Sequence, residues 1–208
     1  MGVNDLINEL KQQGITSKPV LEAIRHCLRE NFVLEEYKDI AYEDRALSIV
    51  ANQTISQPYT IAFMLQELEL KKGHRVLEIG AGSGWNSALI TNITKNKVYS
   101  VEYVKEVAEF AENNLKKNKI KNVKIIIWDG NKGYEKQAPY DRIIVTAACS
   151  RIPSDLLNQL KNNGILLAPI GRLLSQSLTK IRKNGKDIEK ENLGQFIFVP
   201  LKGKYGFN

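Results

Sequence analysis

Three glycines at alternate positions, Gly80, Gly82 and Gly84, lie in the segment VLEIGAGSGWNSALI (76–90), between a β-branched run and a stretch of helical character. Glycine lets a backbone turn sharply and approach a ligand closely, and the helix that follows presents unpaired N–H groups at its amino terminus. A dinucleotide fingerprint, G-x-G-x-x-G/A, wants a small residue at position 85. This chain has Trp85 there, so a diphosphate-binding loop is not the expected reading. Two carboxylates follow at later strand ends: Glu102 closes the run 97–101, and Asp129-Gly130 closes VKIIIW (123–128). An ionised carboxylate only accepts hydrogen bonds, and its two oxygens suit a pair of hydroxyls or an exocyclic amine. Glu102 could also cap a helix beginning near Val104, and Asp129 could open a turn.

The glycine spacing, G-x-G-x-G, is the one associated with Rossmann-like S-adenosylmethionine-dependent methyltransferases. That cofactor has no pyrophosphate, so the missing third small residue is no obstacle. Glu102 is expected to accept from the ribose hydroxyls and Asp129 from the adenine amine. The full set of expected cofactor-binding residues is Glu78, Gly80, Gly82, Ser83, Gly84, Glu102, Asp129 and Gly130. No metal-ligand cluster and no Ser-His-Asp order is found, and His26 and His74 sit outside the strand-end motifs, where both read as structural.

The elements that must hold these residues alternate. Apolar runs at 75–79, 97–101, 123–128 and 142–146 read as strands, with helices at about 85–94 and 104–117 separating the first three. Strands alternating with helices predict a parallel sheet covered on both faces. A helix at 153–161 precedes a strand at 165–170, and then SLTKIRK, the Asn184-Gly185 turn signal and QFIFVP (195–200) read as strands without helices between them. The expected fold is α/β: an open, mostly parallel twisted sheet of the class I methyltransferase type with an antiparallel C-terminal edge. Upstream, Val20, Leu21, Ile24 and Leu28 share a helical face behind Ser17 and Pro19, and Ile61, Met64, Leu65 and Leu68 share another from Pro58 onward. Residues 32–57 read as a long structured loop, the kind that usually serves function.

A chain of 208 residues suits one globular domain that buries roughly 70% of its unfolded surface. It divides into N-terminal helices and a substrate-side loop (1–70) and a Rossmann-like core with C-terminal strands (71–208). Hydrophobic residues at 43% and charged residues at 25% are ordinary globular values. No secretory signal, myristoylation signal or apolar membrane span is read, and the cysteines, Cys27 and Cys149, form no CxxC pair, so the expected setting is cytoplasmic with reduced thiols. A net charge of +7 with lysines at 116–124 and 180–186 invites a nucleic-acid reading. The first cluster instead fits a helix carboxyl end, no aromatics interleave with the lysines, and the [DN]PP[YF] tetrapeptide of amino-methylating nucleic-acid enzymes is absent. Neither nucleic acid nor metal nor membrane is an expected partner. A scaffold that had abandoned catalysis would be expected to have lost the ligand positions that this chain keeps.

From Phe32 to Phe207 the chain resembles the protein-L-isoaspartate (D-aspartate) O-methyltransferases. The resemblance rests on FVLEEY (32–37), AYEDRALSI (41–49), NQTISQPYTIA (52–62), the glycine segment, DGNKGYEKQAPYDRIIVTAA (129–148) and FVPLKGKYGF (198–207). AYEDR and QTIS lie outside the cofactor fold and are specific to this family. It implies a repair enzyme that methylates the free α-carboxylate of L-isoaspartyl residues in damaged proteins and peptides, after which the ester collapses to a succinimide. Ser56 falls on the serine of the family's Thr-Ile-Ser motif and is implied as the catalytic residue. Thr54 and Ile55 beside it, Thr146, Ala147 and Ala148, and Val199, Pro200 and Leu201 are implied to frame the substrate. Two residues before Pro58, Ser56 also stands where a helix N-cap is expected. The chain departs from common family patterns at Gln57 and Tyr59, and at Leu34, Ala46 and Ser48, where prolines are frequent.

Overall fold

A computed structural model describes residues 1–203; positions 204–207 of the last matching segment lie outside the described residues. The N-terminal part is a helical layer: α1 (Val3–Gln12), α2 (Lys18–His26), α3 (Pro58–Glu67) and, between α2 and α3, 3-10 turns at Arg29–Phe32 and Glu35–Ile40. The stretch 32–57 is thus closely folded. It also carries a small antiparallel pair, β1 (Leu47–Ser48) and β2 (Thr54–Ile55), whose connecting turn passes through Ala51 and Asn52, both left-handed with φ of 54° and 56°. The helix read from residue 20 begins at Lys18 with Ser17 as N-cap, and ends at His26, so Leu28 lies beyond it. Helix α1 buries Leu6, Ile7 and Leu10 from one face.

Next come β3 (Val76–Ile79), α4 (Trp85–Thr94), β4 (Val98–Glu102), α5 (Lys105–Lys117), β5 (Val123–Ile127), β6 (Tyr140–Val145), α6 (Ser154–Gln159), β7 (Leu160–Arg172), β8 (Ser175–Asn184) and β9 (Asp187–Phe196). The seven-stranded sheet runs β5-β4-β3-β6-β7-β8-β9. Pairs from β5 through β7 are parallel, and β7-β8-β9 are antiparallel. This is the expected α/β sheet with an antiparallel edge. Alternation along the central strands sorts side chains to two faces. Val76, Val98, Ile144, Ile165 and Leu167 face the core shared with α1 to α4, while Leu77, Ile79, Ile143, Val145 and Leu166 face the core that includes Leu156 of α6.

One strand sits elsewhere than read. The edge strand is Asp187–Phe196, not 195–200. Its sequence, DIEKENLGQF, is polar and almost wholly exposed, so it pairs with β8 through backbone hydrogen bonds without an apolar face to announce it. The apolar run that resembled a strand, 197–201, leaves the sheet edge and crosses back toward the end of β6, where Pro200 forms an isolated parallel bridge with Ala148.

Candidate active site

The chain leaves β3 for β4 on one side and later returns to β6 on the other, and ligands in open α/β sheets sit at such a switch point, beyond the carboxyl ends of the strands. A cavity of about 410 Å³ lies there, of the size that small-molecule sites occupy. Its floor is Gly80 to Ser83 after β3, Glu102 at the end of β4, and Thr146 and Ala147 after β6; residues 53–57 and 197–202 supply two further walls.

Two glycines are required by the geometry. A Cβ on Gly80 would lie 2.5 Å from Thr146 Oγ1, and the residue holds φ of +96°. Gly84 is the left-handed N-cap of α4 at φ +84°, with Ala111 and Leu115 of α5 3.2 Å from where a Cβ would be. Any larger residue would strain the backbone and displace α5. Trp85 then fills the position where a dinucleotide loop wants a small residue: its ring is buried and its Nε1 donates to the Cys27 carbonyl at 2.8 Å.

Glu102 is buried against the loop. Its Oε1 accepts from the amides of Tyr103 at 2.9 Å and Val104 at 3.0 Å, and Oε2 accepts from the Gly82 amide at 3.3 Å. The carboxylate thus steadies the start of α5 and also lines the cavity. Glu78 lies beneath the loop with no exposed surface, outside the cavity wall. Asn86 Nδ2 donates to it at 2.7 Å and Ser100 Oγ at 2.6 Å, and Ser87 Oγ donates as well. Burial pushes its carboxyl up to about 7, against the pull of these three donors. Glu78 thus braces the glycine loop and the first turn of α4 from behind.

Asp129 ends its strand as expected, but its Oδ1 accepts from Asn131 N at 3.0 Å and Asn131 Nδ2 at 2.7 Å, and Gly203 packs against it. The contacts to Asn131 are those of a turn opener, and Gly130, not Asp129, lines the cavity. The N-cap reading of Ser56 is corrected. The N-cap of α3 is Gln57, and the acceptor at this helix start is Asp44, whose Oδ1 takes the Tyr59 amide at 2.7 Å and whose Oδ2 takes Gln57 Nε2 at 3.0 Å. Ser56 is half-buried in the cavity wall, beside Thr54 and Ile55. The segments 146–148 and 199–201 are tied together: the Ala148 amide donates to Val199 O at 2.8 Å, and the Leu201 amide to Ala148 O at 2.9 Å. Ala148 itself is fully buried behind the wall that Thr146, Ala147, Val199, Pro200 and Leu201 form.

A profile of the protein-L-isoaspartate(D-aspartate) O-methyltransferase (PCMT) family matches residues 1–206. This chain belongs to that family. A protein-L-isoaspartate O-methyltransferase of Dictyoglomus turgidum is 46% identical over 97% of this chain and 91% of its own length. One from Pyrococcus abyssi is 44% identical over 97% and 94%. A solved structure of a family protein from Plasmodium falciparum, in complex with S-adenosyl-L-homocysteine, superimposes with a TM-score of 0.85 at 30% identity, covering 97% of this chain and 99% of that one.

The structure also brings in residues that the motifs do not mark. Arg29, whose isolated position carries no spacing signal, is buried against the loop that holds Ser56. Asp44 was legible only as part of AYEDR. Cys149 is a buried thiol that burial pushes up to about 12, so it stays protonated and acts as a small filler behind the wall. Among the described residues no group of three or more His, Cys, Asp or Glu side chains could hold a metal ion, and no helix is long and apolar enough to cross a membrane.

Proposed function

We propose that this chain transfers a methyl group from S-adenosylmethionine to the free α-carboxylate of L-isoaspartyl residues in damaged proteins and peptides. The observation that carries this reading is the family match over residues 1–206. It is supported by one cavity whose wall includes both the glycine loop with Glu102 and the segment around Ser56. The donor set fits the cofactor: a glycine loop in which a Cβ on Gly80 would collide with Thr146, a carboxylate with lone pairs for ribose hydroxyls, and apolar walls at Ile79, Val101 and Phe198.

When bound, S-adenosylmethionine supplies an electrophilic methyl group on a sulfonium. Gly80, Gly82, Ser83 and Gly84 would hold its amino-acid end, Glu102 its ribose, and Gly130 the adenine side, with Asp129 setting the turn that presents Gly130; Glu78 supports the glycine loop from below. The acceptor needs no general base. An α-carboxylate, with a solution pKa of about 3.5, is already ionised at neutral pH, so the protein's work is alignment and exclusion of water. Ser56 Oγ donates to one carboxylate oxygen and leaves the other directed at the methyl group. Thr54 and Ile55 on one side, and Thr146, Ala147, Val199, Pro200 and Leu201 on the other, frame the isoaspartyl residue, with Ala148 behind them tying the two segments together. The reading includes a cytoplasmic setting, where free thiols such as Cys27 and Cys149 stay reduced.

The test is methyl transfer from labelled S-adenosylmethionine to two matched peptides, one isoaspartyl and one normal aspartyl. Base-labile label on the isoaspartyl peptide alone is expected. Cofactor binding with neither peptide labelled would overturn the assignment.

A further inference from the structure

We propose that Arg29 is the positioning residue that holds Ser56 in register with the cofactor end of the cavity. Its side chain is buried to 1% exposure. One guanidinium nitrogen, Nη1, donates to Ala41 O at 2.5 Å; the other, Nη2, donates to Arg45 O at 2.9 Å and to Ser56 O at 3.1 Å. Three points of the substrate-side loop therefore converge on one cation. On its other side, the guanidinium carbon lies 5.6 Å from the centre of the Trp85 ring. Trp85 follows Gly84 directly, lines the cavity, and returns a hydrogen bond from Nε1 to Cys27 O at 2.8 Å, two residues before Arg29. The contacts close a circuit from the loop carrying Ser56, through Arg29, to the helix that starts at the glycine loop.

Energetics argue that this arrangement serves more than packing. A buried cation is costly unless paired, and an apolar side chain of similar volume is often as stable or more so. Arg29 makes no ion pair among the described residues, and its Nε finds no acceptor among them. Burial pulls its guanidinium down to about 10, with Asp44 opposing, so it is charged at neutral pH. Asp44 holds the far side of the same loop through Tyr59 N and Gln57 Nε2. What the guanidinium adds is a fan of donors that can meet three carbonyls at once, which neither a lysine nor an apolar side chain reproduces.

This inference rests on Ser56 touching the substrate, and the experiment separates the two claims. Arg29→Met and Arg29→Lys are made alone and combined with Ser56→Ala, and each protein is assayed for kcat and KM on an isoaspartyl peptide and for S-adenosyl-L-homocysteine affinity by calorimetry. Because a misplacement of about 1 Å can cost ~100-fold in rate, Arg29→Met should lower kcat on that order, with cofactor affinity within about threefold of wild type. Arg29→Lys, which restores the charge and part of the fan, should recover about a tenth of the wild-type rate or less. In the Ser56→Ala background, Arg29→Met should cost less than about threefold more, because two residues acting through one contact do not add. Multiplying losses would overturn the Arg29 assignment alone, as would Arg29 variants that lose cofactor binding together with turnover. Full activity in Ser56→Ala alone would remove the reading beneath it and this inference with it.

Discussion

Replacing Glu78 by Gln isolates the cost of burying a carboxyl under the glycine loop. The side chain has no exposed surface, and burial raises its pKa from 4.5 to about 7 even though Asn86, Ser87 and Ser100 all donate to it. A carboxyl whose folded pKa is raised contributes stability that is complete below its unfolded pKa and is lost as pH climbs through the folded one. Here that window runs from 4.5 to about 7. Each pKa unit is worth ~1.4 kcal/mol, so the loss between pH 5 and pH 8 comes to about 2–3 kcal/mol. The Glu78→Gln side chain keeps an acceptor for Asn86, while its amide faces two hydroxyls that can rotate to accept, so the hydrogen bonds survive and the titration does not. Urea unfolding of both proteins across pH 5–8 measures the difference. Wild type should lose about 2–3 kcal/mol relative to Glu78→Gln over that range. Parallel profiles would refute the reasoning, because Glu78 would then titrate alike in the folded and unfolded chain.

Glu102→Ala removes a charged acceptor from the cavity, and a hydrogen bond to a charged group is worth ~1.5–3 kcal/mol, so S-adenosyl-L-homocysteine affinity should fall about 10- to 100-fold by calorimetry; unchanged affinity would limit Glu102 to steadying α5. Ala51 sits at φ 54°, where a side chain costs ~1–2 kcal/mol, and glycine returns part of that through its freer unfolded chain. Ala51→Gly should therefore raise the melting temperature modestly, and a lower one would contradict the strain. Glu69 is buried in part, which raises its pKa, yet hydrogen bonds from Arg182 and Lys180 bring it down to about 2. Stability from this contact is present above pH 4.5 and lost as pH falls toward 2, so Glu69→Gln should flatten the acid limb of the unfolding profile. An acid limb of wild-type steepness in that variant would argue against the network.

Much of this was legible because burial leaves a mark on sequence. Strands β3, β4 and β6 are enclosed by neighbours and helices, so they read as apolar runs, and the ends of β3 and β4 located Gly80 and Glu102. β9 left no such mark, since an exposed edge strand is defined by hydrogen bonds to β8 and its residues need not be apolar. The run 197–201 is apolar for another reason: it walls a cavity, which hydropathy does not distinguish from a strand. Side-chain direction was the second blind spot. Position told that Asp129 ends a strand and that Ser56 precedes a helix, but it could not tell that Asp129 turns to Asn131, or that Asp44, from thirteen residues upstream of Gln57, would take the capping position. Arg29 was invisible because its partners are backbone carbonyls, which every sequence supplies.

The parallel pairing of β3 with β6 joins Val76 to Arg142 and Ile79 to Val145, and the cavity above that seam draws its walls from residue 46 to residue 202. Closing so distant a contact charges the chain's entropy before any packing is returned. No half-folded form therefore owns half a pocket. The glycine loop without the wall at 197–202 lacks part of the cavity lining. Ligand held by the finished form alone then draws the whole chain toward completion, by about 2.7 kcal/mol at a hundredfold excess over Kd.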